Sequence, residues 1–173
     1  MSKENSNKSF FRLLLFITIF FFFKGFSYAQ PGLPQRSITV QATQALHFGT
    51  FALSGGGDGV VTVGYDGNRS AITNILLSNL SPIAQPAIFE IKLCQGRNVT
   101  ITYSPTAILT GSNGGTMTLD IGPTEKGASG DEFPVDNNCN FITILRVGGT
   151  LHIPSTSPTG VYTGNFEISF DQE

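Results

Sequence analysis

Tryptophan is absent from this chain, charged residues make up only 13% of it, and 173 residues include just two cysteines and two histidines. Each shortage closes off a class of function. A four-ligand zinc site of histidine and cysteine alone would have to consume His47, His152, Cys94 and Cys139 together, since no other histidine or cysteine exists. Each histidine stands between two apolar residues, Leu46 and Phe48 in one case and Leu151 and Ile153 in the other. That placement gives it the outward slot of a half-buried strand. No serine sits in a nucleophile-elbow motif, and its conceivable partners Asp58 and Asp66 are loop residues. Gly55, Gly56 and Gly57 are followed by neither lysine nor a helical pattern, which makes a poor phosphate cradle. No catalytic residue and no cofactor is expected.

Helical periodicity is missing too: no segment keeps apolar residues at spacings of three and four over several turns. Alternation is present instead. Ile38, Val40 and Ala42 alternate with Thr39, Gln41 and Thr43, and Ala87, Phe89, Ile91 and Leu93 alternate with Ile88, Glu90 and Lys92. Val99, Ile101 and Tyr103, and then Met117, Leu119 and Ile121, repeat the pattern. Near the C-terminus Tyr162, Phe166, Ile168 and Phe170 share one side of an extended run, with Val161, Thr163, Asn165, Glu167 and Ser169 on the other. This run predicts a single closing strand. Between the strands lie Asp66-Gly67-Asn68, Gly111-Ser112-Asn113-Gly114-Gly115 and Val147-Gly148-Gly149, all read as turn chemistry. In particular, Gly148 and Gly149 predict a tight hairpin or kink between two strands. Short strands at close spacing imply an all-β fold, an antiparallel immunoglobulin-like sandwich of Greek-key type.

The first residues set a destination. Lys3, Lys8 and Arg12 form a basic leader, residues 13–23 are an 11-residue apolar run, and Ser27-Tyr28-Ala29 supplies the small residues that a signal peptidase reads. Cleavage is expected between Ala29 and Gln30, giving a signal peptide over 1–29 and one β-sandwich domain over 30–173. The run is too short for a bilayer, which needs roughly 20 helical residues. Four of the ten basic residues and one of the twelve acidic ones leave with the leader, so residues 30–173 carry six basic and eleven acidic groups, a formal charge of −5. That balance disfavours nucleic acid and anionic lipid.

In an oxidising compartment Cys94 and Cys139 are expected to form a disulfide. The loop before Cys139 gathers Asp131, Glu132 and Asp136. It reads first as a solvated acidic turn and second as a calcium site, since hard oxygen ligands are what calcium accepts.

Four motifs then stand in order: Leu46-His47-Phe48-Gly49-Thr50-Phe51, Gly59-Val60-Val61-Thr62-Val63, Gly67-Asn68-Arg69-Ser70, and Val147-Gly148-Gly149-Thr150-Leu151 followed by Gly160-Val161-Tyr162-Thr163-Gly164-Asn165-Phe166. From about residue 38 to 170 the chain resembles the bacterial domain-of-unknown-function family numbered 4402. That family is similar in pattern to spore-coat-U and fimbrial-subunit domains. The resemblance implies a secreted bacterial sandwich and brings no catalytic residues with it. Chaperone-assembled pilins are similar in having a glycine fourteen residues from the end, which Gly160 matches, and a penultimate aromatic, which Gln172 does not. Residues 38–42 are therefore expected to serve as the first strand of their own sheet.

The expected function is a non-catalytic structural or adhesive surface protein, pilin- or coat-like, in the periplasm or at the cell surface. A secreted glycan- or protein-binding module is the alternative, and a periplasmic enzyme is the remote one. Expected partners are other surface or fimbrial proteins or glycans, with no nucleic acid and no membrane span in the exported chain.

Overall fold

A computed structural model describes residues 36–136 and 138–172. The expected leader and the Ala29–Gln30 cleavage site lie outside the described residues. Among those described, thirteen β-strands are the regular elements. Every strand pairing is antiparallel.

The alternating runs become strands as their period dictates. β1 (Ser37–Gln44) pairs with β6 (Ala87–Cys94), so residues 38–42 do sit in a sheet of their own chain. β7 (Asn98–Tyr103) and β9 (Thr116–Thr124) carry the other two runs. Ile91, Leu93, Val99, Ile101, Met117, Leu119 and Ile121 are buried, whereas Thr39, Gln41, Lys92 and Thr102 face solvent.

β11 (Thr143–Ile153) is the longest strand and the spine of the fold. Along one edge it pairs first with β6, through Thr143 to Val147, and then with β3 (Gly59–Val63), through Gly149 to Ile153. Its other edge pairs with β9. Gly148 and Gly149 thus lie inside this strand, not in a hairpin between two strands. The glycines are required because neighbours crowd the chain where β11 changes partner. A Cβ on Gly148 would lie 2.5 Å from the Val63 carbonyl oxygen, and one on Gly149 would lie 2.8 Å from a Leu119 methyl. The ladder to β9 also shifts register here, since the one residue between Val147 and Gly149 faces two, Gly122 and Pro123, between Ile121 and Thr124, so the bulge lies on β9.

The C-terminal run departs from expectation in a second way. It forms two short strands, β12 (Tyr162–Thr163) and β13 (Ile168–Gln172), rather than one. β12 pairs with β8 (Thr106–Gly111), and β13 pairs with β7. Between β7 and β8 stand Ser104 and Pro105, and proline cannot donate to a ladder. The break on one side of the ribbon is matched by the break opposite. The face assignment survives, because Tyr162, Phe166, Ile168 and Phe170 are half-buried while Val161, Thr163, Asn165, Glu167 and Ser169 are exposed.

An eight-stranded sheet therefore runs β1-β6-β11-β9-β8-β12, with β3 on β11 and β4 (Arg69–Ile72) on β3. A three-stranded sheet runs β10-β7-β13, where β10 is Glu132–Pro134. A two-stranded ribbon joins β2 (Phe51–Leu53) to β5 (Ile75–Leu77). Neighbours that are not consecutive in sequence give the crossovers of a Greek-key sandwich. Phe89 of β6 meets Phe166 and Phe170 at ring-centroid separations of 6.4 and 5.9 Å, which joins the two layers.

Replacing Gly148 with alanine is expected to destabilise the domain by about 1–3 kcal/mol, because the intruding methyl meets backbone that cannot move aside. Gly56→Ala, whose Cβ would enter open space, should change stability by under about 0.5 kcal/mol. Urea unfolding of both variants checks the contrast.

Candidate functional site

Two distant segments are tied where β6 ends. Cys94 and Cys139 form a disulfide with their Cα atoms 4.8 Å apart, closing a sequence separation of 45 residues. Beyond Cys94 the chain turns through Gln95, which holds a left-handed φ of +62°, and Gly96 before entering β7. Arg36 joins them, because the strand that follows it pairs Ser37 with Cys94. The result is an open cavity of about 930 Å³ whose wall includes Arg36, Gln95, Arg97, Asn98, Asn138 and Asn140. Two guanidiniums and four carboxamides offer donors to a carboxylate or to sugar hydroxyls. The cysteine sulfurs beside them are spent in the disulfide.

The other sequence-marked residues are not drawn into this site. His47 is exposed, and its backbone bridges to Gln85 with N–H to O distances of 2.9 and 2.8 Å. His152 faces outward between buried Leu151 and Ile153, with Nε2 2.8 Å from an Asp120 carboxylate oxygen. Both side chains in that pair are about half exposed, so the contact contributes under about 1 kcal/mol. Asp58 accepts from the Ser155 amide at 2.7 Å, and Asp66 accepts from the Asn68 amide at 3.0 Å. Asn74 fills the space beside the glycines at 55 and 57, which link β2 to β3.

The acidic loop resolves into two separate turns. Asp131 accepts from the Ala128 amide at 2.7 Å, and Asp136 accepts from the Asn138 amide at 2.9 Å. β10 lies between them with Phe133 buried and Glu132 exposed. Among the described residues no three acidic, histidine or cysteine side chains converge on a metal-sized centre.

Sequence reading missed the most heavily used cation. Arg69 donates to the carbonyls of Phe48, Thr50 and Ser78 at 3.1, 3.3 and 2.6 Å. Two of the motifs therefore lock together, and Gly49, at φ +73°, leaves the room that the guanidinium occupies. An arginine beside a turn carries no sequence signal that it will satisfy three carbonyls. Of the tyrosines open to a ligand, Tyr65 is 41% exposed, whereas the Tyr162 hydroxyl donates to the Pro158 carbonyl at 2.7 Å. Burial pushes the Tyr103 phenol above its ordinary 10.0, a backbone hydrogen bond from Ser129 opposes this, and the Asp131 charge adds to the rise.

The family model described as Domain of unknown function (DUF4402) matches residues 38–171, and the chain belongs to that family. No curated protein and no solved structure matches the chain.

Removing the disulfide by Cys94→Ser with Cys139→Ser is expected to cost about 4 kcal/mol, the loop-closure entropy for this separation. Chemical denaturation in non-reducing buffer measures it. Because the folded pKa of Tyr103 is raised, the stability it contributes is present below pH 10.0 and is lost as pH rises from there through its folded value. Tyr103→Phe should therefore show a shallower loss of stability than the wild type above pH 10, read from melting temperatures across an alkaline series.

Proposed function

We propose that this member of the 4402 family is an exported, non-catalytic structural or adhesive surface protein, a pilin- or coat-like subunit that works by contact with other proteins. The observation that supports it is a charge-free stretch whose residues 70–85, before the chain enters β6, include none that is buried. Residues 70–89 contain no acidic or basic side chain. Within them Ile72, Leu76, Leu80 and Ile83 are 64, 63, 69 and 67% exposed. Single exposed aliphatics are ordinary, but four along 12 residues without a charge support a contact role. Covering four such side chains contributes up to about 6–12 kcal/mol, comparable with the roughly 4–15 kcal/mol that association costs. Weak contacts repeated across many copies suit that balance.

Export supports the same reading through the basic leader, the apolar run and the small residues at 27–29. No helix among the described residues is long and apolar enough to cross a membrane. The cavity beside the disulfide supports a second reading, a secreted module that binds an acidic glycan or a protein carboxylate through Arg36 and Arg97.

N-terminal sequencing of the exported protein is expected to begin at Gln30, and an intact Met1 chain recovered from membranes would overturn the export route. Size-exclusion chromatography of that protein should give species above the monomer mass. Leu80→Ser with Ile83→Ser should shift them toward monomer without lowering the melting temperature. A wild type that elutes as monomer and is retained on an acidic-glycan column would favour the second reading.

A further inference from the structure

Among the described residues β1 is bonded along one edge only, to β6. Among the described residues its other edge presents backbone N–H and C=O groups with no ladder partner, and such an edge is a template for another strand. The other sheet edges are short or blunted. β10 has three residues and carries Glu132 and Pro134, β12 has two residues, β13 carries Asp171, and β4 starts at Arg69. β1 is eight residues long and holds neither charge nor proline. The ladder to β6 stays in register from Ser37 to Ala42 and shifts only beyond it. Ile38 and Val40 pack on the core yet are only half-buried, so part of each stays in water at this edge.

We propose that this edge pairs antiparallel with the same edge of a second copy, across a two-fold axis at Val40. The pleat excludes odd slips, and the charges on the next strand select this register over axes at Thr39 or Gln41, which would align Lys92 with Lys92 or Glu90 with Glu90. With Val40 opposite Val40, Ile38 faces Ala42 and Thr39 faces Gln41, so apolar side chains meet on the core face and polar ones on the outer face. A one-residue slip would set Val40 against Gln41 and Ile38 against Thr43, opposing apolar to polar throughout. The next strand inward agrees in charge. Thr39 pairs with Lys92 and Gln41 with Glu90, so each row crossing the axis carries Lys92 of one copy and Glu90 of the other. Opposite charges fall in line where like charges would have argued against self-pairing. This self-complementarity is what singles out a second copy as the occupant. Five residues a side bury well under the ~1,200 Å² of a standard stable complex. Association is therefore weak in dilute solution, and its weight where copies crowd together rests on the surface role proposed above.

Charge placed on the outer face of β1 tests the pairing. Thr39→Glu with Gln41→Lys sets opposite charges across the axis and beside Lys92 and Glu90, whereas Thr39→Lys with Gln41→Lys sets like charges across it. Sedimentation velocity of the exported protein over a concentration series should give at least about tenfold tighter dimerisation for the first variant than for the second. The wild type should fall between them. Thr39→Glu with Gln41→Glu should weaken dimers as the double lysine does, so a folding defect in one repulsive variant does not decide the result. Equal association of the opposed and matched variants, or monomers in all of them at hundreds of micromolar, would overturn the pairing. Cell fractionation tests the surface role separately: exported, surface-held protein with no β1 dimer sinks the pairing alone, and cytosolic retention sinks the surface role alone.

Discussion

The fold depends on one close approach. Where β11 leaves β6 and takes up β3, its backbone at Gly148 comes so near Val63 that no side chain fits between them. Leu145 and Val147 before this point and Leu151 and Ile153 after it are all essentially inaccessible. A single strand thereby feeds two stretches of core. Without the approach β3 would lose its ladder to β11, and β4, which pairs only with β3, would lose its attachment to the main sheet. Arg69, at the start of β4, would then no longer reach the carbonyls at 48, 50 and 78.

Much of this was legible in the sequence because the period of two is a strong signal when one face is buried. The runs at 87, 99 and 117 gave strands with the expected faces inward, and the run at 38 turned Ile38 and Val40 inward but left Ala42 exposed, beyond the point where the core reaches the edge strand. The cysteines were legible as a pair, the chain's two thiols read together with an expected export signal. What sequence could not convey was the partner. Gly148 and Gly149 carry the composition of a turn, yet Gly148 answers to the backbone of a strand more than eighty positions away and Gly149 to Leu119 and Asp120 of β9. The C-terminal run likewise had correct faces and incorrect continuity, since the proline that matches its break lies across from it, between β7 and β8.

The candidate site was less legible for the same physical reason. Its cavity is assembled from residues near 36, 95–98 and 138–140, and none of those segments has a pattern that marks a ligand. Strand pairing and a disulfide bring them together. The acidic loop had the converse character: its carboxylates are adjacent in sequence, but an extended strand with buried Phe133 intervenes, and each end uses its own aspartate to hold a local turn.

Charge is distributed in a way that separates two kinds of surface. With a formal charge of −5 over residues 30–173, copies repel at long range, yet both 37–44 and 70–89 are free of ionised side chains. The aliphatic stretch offers side chains, whose contacts tolerate many orientations. A free strand edge offers backbone, whose hydrogen bonds fix direction and register together. In the proposed subunit role the two would divide the work, side chains setting how strongly neighbours hold and backbone setting how they are oriented. Screening shortens the repulsion to about 8 Å at physiological salt, so under the proposed assembly the neutral surfaces would govern contact once copies are crowded, while net charge would keep dilute protein apart.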